Sequence, residues 1–148
     1  MTGMLNLANA KLGFRNFEGV EGMYNKAGDR NFVVFLDDEK AKELESIGWN
    51  IKWPKPNDEI EDDNRRPFLS ISVSVDKYPA NVFMINGNHK NKLDAETLAT
   101  LDWAEFELVD LVIRPYTWSV SGKSGIKAYL QTGYFTIVQD DFASKYEL

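Results

Sequence analysis

The stretch Ile113-Arg114-Pro115-Tyr116-Thr117-Trp118-Ser119-Val120-Ser121-Gly122-Lys123-Ser124-Gly125-Ile126-Lys127-Ala128-Tyr129-Leu130 decides how this chain is read. Residues from about 106 to 120 read as one long strand. Ser121 to Ser124 read as a turn, and Gly125 or Ile126 to Val138 as the returning strand. If the turn joins Val120 to Gly125, Trp118 lies opposite Lys127, Tyr116 opposite Tyr129, and Arg114 opposite Gln131. Cross-strand partners share a side, so these six side chains form one face. The other face carries Ile113, Pro115, Thr117, Ala128, Leu130 and Thr132, which suits a core. One register thus separates a basic-aromatic surface from a mostly apolar one. Cations of this kind contact phosphates, and flat rings stack on any base. The competing reading buries Tyr116, Trp118 and Tyr129 under another element, as aromatics usually are. Against it, Arg114 and Lys127 on the same face are costly to bury unpaired.

Outward from the hairpin the pattern stays β-rich. Residues 4–17 read as a long bent strand and 31–36 as a strand buried on both faces. Asp37 caps a helix with Ala41, Leu44 and Ile47 on one stripe, and Gly48 ends it. Trp49, Ile51 and Trp53 alternate toward one side, and residues 54–67 read as a polar loop. Leu69, Ile71, Val73 and Val75 alternate with Ser70, Ser72 and Ser74, which is a half-buried strand. Val82 to Ile85 is a short strand, and Asp94 caps a second helix reaching about Trp103. In the first hairpin, Arg15, Tyr24, Lys26 and Arg30 extend a basic-aromatic surface across a groove. The expected fold is all-β with one or two short helices: an OB-type five-stranded barrel with a long C-terminal β-hairpin. Residues 1–139 form that domain, and 140–148 a short polar tail.

Composition narrows the function. A length of 148 residues fits one domain with a real core. No apolar run approaches the ~20 residues of a membrane span, and no signal-peptide pattern opens the chain. Cysteine is absent and His89 is the lone histidine, so thiolate chemistry, Cys-based zinc sites and a His-centred triad are disfavoured. The net charge of −6 opposes simple coating of duplex DNA. The acids cluster at 37–45, at 58–63 and at Asp140-Asp141, which leaves room for a local basic groove.

Other signals are weak. Gly122-Lys123-Ser124 mimics the end of a phosphate loop, but Thr117 stands where that motif needs glycine, and a strand follows instead of a helix. The Asp58–Asp63 run lacks the ligand spacing of an EF-hand and reads as a solvated loop. His89 sits in a polar turn. No metal or cofactor is expected.

The combination of Asn9-Ala10-Lys11-Leu12, Gly28-Asp29-Arg30-Asn31-Phe32, Gly48-Trp49-Asn50-Ile51-Lys52-Trp53, Leu101-Asp102-Trp103 and Asp110-Leu111-Val112-Ile113-Arg114-Pro115-Tyr116 resembles bacteriophage-encoded single-stranded DNA-binding proteins. The resemblance spans roughly residues 9–137. It implies an OB fold, sequence-tolerant binding of single-stranded DNA, and work in phage replication or recombination beside proteins of those processes, in the host cytoplasm. It fixes no oligomeric state. From the strand pattern, Arg114, Lys123 and Lys127 track phosphates, with Arg15, Lys26 and Arg30 across the groove; Tyr116, Trp118 and Tyr129 stack bases. The rival readings are a non-catalytic protein-interaction module and a carbohydrate-binding module, since exposed rings also serve those partners. An enzyme is the least favoured.

Overall fold

The computed structural model describes residues 3–23, 25–55 and 65–138. Its elements are β1 (Leu5–Leu7), β2 (Lys11–Asn16), β3 (Arg30–Phe35), α1 (Asp38–Ile47), β4 (Ile51–Lys52), β5 (Phe68–Val73), β6 (Asn81–Asn86) and β7 (His89–Leu93). A short 3-10 helix (Leu98–Asp102), β8 (Phe106–Val120) and β9 (Lys123–Ile137) follow. The nine strands form one mixed sheet with the path β1-β8-β9-β5-β3-β2; β4 pairs with β5, and β6 links β9 to β7. β9 runs parallel to β5 and β6, and the other pairings between these strands are antiparallel. β9 therefore has three partner strands. Where five strands were expected, the described residues form nine strands and one α-helix.

Alternation sets the core. Leu69, Ile71 and Val73 point inward from β5, while Phe68, Ser70 and Ser72 point outward. On β9, Ile126, Ala128 and Leu130 are buried, and then Gly133 and Phe135. The inward positions change from even to odd because Ile113 pairs with Leu130 but Val112 pairs with Thr132. That bulge leaves Gln131 as the extra residue and keeps both halves of the strand facing the core. Phe17, Phe32 and Phe135 are fully buried and meet at the centre, with ring centroids 4.9, 5.6 and 6.4 Å apart. No polar or charged residue is buried among the described residues. The core therefore rests on apolar burial and close packing of rings.

The first helix forms as its sequence dictates. The Asp37 carboxylate accepts from the Lys40 amide at 2.7 Å, and Ala41 and Leu44 are buried. Gly48 takes φ 122 and returns its amide to the Leu44 and Glu45 carbonyls. Ile47, expected on the buried stripe, is exposed.

Four local expectations change. Residues 4–17 are not one strand: Asn9, at φ 50, breaks them into β1 on β8 and β2 on β3. Trp53 leaves the side held by Trp49 and Ile51, and its indole Nε1 donates to Glu45 Oε2 at 2.8 Å. Asp94 caps no α-helix. Its carboxylate accepts from the Glu96 and Thr97 amides and the Thr97 hydroxyl, and a 3-10 helix follows with Leu98 and Leu101 buried. His89 opens β7 after the Gly87-Asn88 turn and is exposed. The acidic run Asp58–Asp63 and the 140–148 tail lie outside the described residues.

Candidate nucleic-acid interface

The site rises from the turn between β8 and β9. Ser121 at φ 51 and Gly122 at φ 79 form a two-residue connection, and Val120 pairs with Lys123. Positive φ at both central positions matches the twist of paired strands, which is why such tight turns are favoured in hairpins. Lys123 and Ser124 therefore join the strand rather than the turn. The register expected from a four-residue turn is corrected by two: Trp118 faces Gly125, Tyr116 faces Lys127, and Arg114 faces Tyr129. A slip of one residue turns every side chain over, whereas a slip of two returns each to its own side. From Ile113 to Leu130 the sorting into faces survives even though every partner changes, whereas Thr132, expected on the core face, lies beyond the bulge, pairs with Val112 and falls on the outward side.

On the outward face the cations sit against the rings. The Arg114 guanidinium lies 5.1 Å from the Tyr129 ring centroid, and the Lys127 ammonium lies 5.0 Å from it. Tyr116 meets Tyr129 edge to face at 6.1 Å, as diagonal neighbours can. The Trp118 ring covers Gly125 so closely that a Cβ there would stand 3.0 Å from Cζ2. Tyr116 is 53% exposed and Trp118 38%. Both remain accessible on their outward sides, so the buried-ring reading does not describe them. Beneath them Ile113, Ile126, Ala128 and Leu130 are buried, while Pro115 is half-buried and Thr117 is exposed toward the tip. Lys123 is exposed at the turn.

The first-hairpin candidates divide differently. Arg15 donates from Nη1 to the carbonyls of Leu101 and Ala104 at 2.8 and 2.7 Å, and its guanidinium lies 4.9 Å from the Phe106 ring centroid. Arg30 donates to the Phe17 carbonyl at 2.6 Å. Both guanidinium groups tie chain segments together. Lys26 is exposed on the β2–β3 loop, which Asn25 braces by donating to the Val20, Lys26 and Asp29 carbonyls. Tyr24 lies outside the described residues.

Sequence reading missed Tyr78, which is 79% exposed at φ 49, its ring centroid 5.5 Å from the Arg114 guanidinium. Arg114 thus lies against two rings, Tyr78 and Tyr129. Nothing in the pattern around Tyr78 announces this, because a loop supplies the residue. A second cluster was also missed. Phe83 stacks on its register partner Tyr134 at 5.4 Å, and the Lys90 ammonium stands 4.6 Å from the Phe83 centroid. Its signal was hidden because β7 reads as a polar turn. Among the described residues no cluster of acids and histidine could hold a metal ion.

An apolar core under an outward face of rings and cations is the arrangement used by the class of β-sheet nucleic-acid binders. Within that class, the chain belongs to the family described as "Putative phage ssDNA-binding domain", whose model matches residues 2–147. The fold is similar to that of the single-stranded DNA-binding protein from bacteriophage Enc34 in complex with ssDNA. There the TM-score is 0.57 and the identity 12%, over 95% of this chain and 89% of that one. A second structure of the Enc34 protein gives a TM-score of 0.56 at 12% identity, over 98% of this chain and 90% of that one. No protein of curated function matches the sequence. No helix among the described residues is long and apolar enough to cross a membrane.

Proposed function

We propose that the protein binds single-stranded DNA with little sequence preference through the outward face of β8 and β9. It works without chemistry, in phage replication or recombination in the host cytoplasm. Arg114, Lys123 and Lys127 hold phosphates, and Tyr116, Trp118 and Tyr129 stack bases. Tyr78 and Tyr129 both lie against the Arg114 guanidinium. Arg15 and Arg30 hold the scaffold, and Lys26 is a further phosphate contact. The observation that carries this reading is the exposure of Trp118 and Tyr116 beside Arg114 and Lys127 on one face. Rings without fixed polar groups around them read any base, which is what sequence tolerance needs.

The fold supports the finer reading of an OB-type barrel. β1 and β2, the two ends of the sheet path, are adjacent in the chain, and the Ala10 amide between them donates to the Val109 carbonyl of β8 at 2.7 Å. One bent segment thereby connects both ends of the sheet, as closure requires.

The test is a tryptophan-fluorescence titration with oligo-dT at two or more salt concentrations. Binding weakens with log salt at a slope of about −0.7 per phosphate neutralised. A neutral oligosaccharide run in parallel quenches nothing. Saturable binding of the sugar, or oligo-dT binding indifferent to salt, would overturn the reading.

A further inference from the structure

We infer a second base-binding subsite on the outward face of β2, β3, β5 and β4, built from Phe14, Phe35 and Phe68 and flanked by Lys11 and Lys52. It rests on the function proposed above and extends the path of the DNA strand.

Three observations converge. First, the strand registers place Lys11, Phe35, Phe68 and Lys52 in one row, each opposite the next across four strands. Partners in a row share a face. The neighbouring row, Leu12, Val34, Leu69 and Ile51, faces the core, so the lysine-phenylalanine row faces out. Second, Phe14 stands over this row, 6.2 Å from Phe35 and 6.1 Å from Phe68 between ring centroids. It is 72% exposed and takes φ 44 at a register shift between Gly13 and Asn16. A bulky residue at positive φ is an outlier, and such strain concentrates where a side chain has to be aimed. Here the strain aims a large ring at solvent. Third, β2, β3, β4 and β5 contain no acidic residue, in a chain of net charge −6. The strands that carry this part of the surface are therefore basic and aromatic.

The patch is continuous with the hairpin face. Tyr129 pairs with Ser72, and Ser72, Ser70 and Phe68 follow one another on the outward side of β5. Four residues of strand put the two ring clusters about 13 Å apart at ~3.3 Å per residue. A strand of several nucleotides spans that distance, within the roughly 4–16 nucleotides that one such domain covers. The serine hydroxyls between the clusters supply donors along the way.

The experiment is the length dependence of oligo-dT affinity, from about 4 to about 16 nucleotides, for the wild type, Phe14→Gly, Lys11→Ala/Lys52→Ala and Trp118→Ala. Glycine suits the positive φ, so Phe14→Gly removes the ring without straining the backbone. The expected result is that Phe14→Gly binds the shortest oligomers as the wild type does. It binds the longest roughly 5- to 150-fold more weakly, the equivalent of one stacked base. The lysine pair lowers the salt slope for the longest oligomers by about 1.4, and it decides the matter if Phe14→Gly fails to fold. Wild-type affinity and slope in these variants, with Trp118→Ala impaired, would overturn the second subsite and leave the hairpin face standing. Wild-type binding by Trp118→Ala as well would overturn both.

Discussion

Trp118 and Arg15 were both candidate contacts in the sequence, and their surroundings give opposite expectations. Trp118 lies over a glycine and opens outward. Trp118→Ala should therefore lower oligo-dT affinity by about 1–3 kcal/mol and leave the melting temperature nearly unchanged. Arg15 holds two carbonyls of another segment. Arg15→Ala should cost about 1–3 kcal/mol of stability, read as a lower denaturation midpoint, while the folded fraction binds normally. The sequence could not separate the two, because an arginine on a strand looks the same whether it awaits a phosphate or a carbonyl. Asp94 yields a pH expectation. Hydrogen bonds from the Thr97 hydroxyl, then from the Thr97 and Glu96 amides, hold its carboxyl below the ordinary value. A depressed carboxylate stabilises the fold above the ordinary aspartate range, and that contribution is lost as pH falls through the folded value. Thr97→Val should move the Asp94 titration, followed by carboxyl NMR, back toward the ordinary range. Because Asp94 is exposed, the effect on stability is small.

At the scale of the element, the hairpin was legible and its turn was not. The bounds of β8 and the two-face sorting as far as Leu130 follow from alternation alone, while the bulge at Gln131 leaves no mark in the pattern. The loop length depends on whether Ser121 accepts positive φ, which composition does not reveal. The turn makes a sharp expectation: Gly122→Val should loosen the tip, seen as faster amide exchange in residues 117–126 and weaker DNA binding, whereas Gly122→Asn should be nearly silent because Asn tolerates this conformation. A silent Gly122→Val would mean that the tip is held by something other than its turn. β7 was illegible for a different reason. His89 to Lys92 are all exposed, so no apolar period marks the strand. It exists because β6 offers it an edge, with Val82 opposite Leu93 as its one buried anchor. In Gly133, by contrast, the sequence left a readable mark without a meaning: a Cβ there would stand 2.5 Å from the Phe135 ring. Gly133→Ala should cost about 1–3 kcal/mol through overpacking, measured by chemical denaturation.

For the whole molecule, net charge and stacking together set the preference among nucleic acids. A −6 chain lacks the broad basic surface that a duplex rewards, and its rings need unpaired bases. Single-stranded oligomers should bind more tightly than duplexes of the same length at the same salt, a comparison that fluorescence anisotropy makes directly. The β-rich architecture was legible from the short alternating runs and the turn residues. The branching of the sheet at β9 was not, because parallel neighbours distant in sequence leave no local trace. That branching has a consequence for how the protein is made. β9 leaves the ribosome after the other eight described strands, yet β8, β5 and β6 all hydrogen-bond to it. Until residues 123–137 emerge, β6 and β8 lack their main partner and Phe17 and Phe32 lack Phe135. The nascent chain therefore waits, exposing open strand edges and apolar surface, and closes late and cooperatively through contacts remote in sequence. A chain ending at residue 122 should be digested by protease as readily as an unfolded polypeptide, and the step to native resistance should come only once synthesis has passed Phe135.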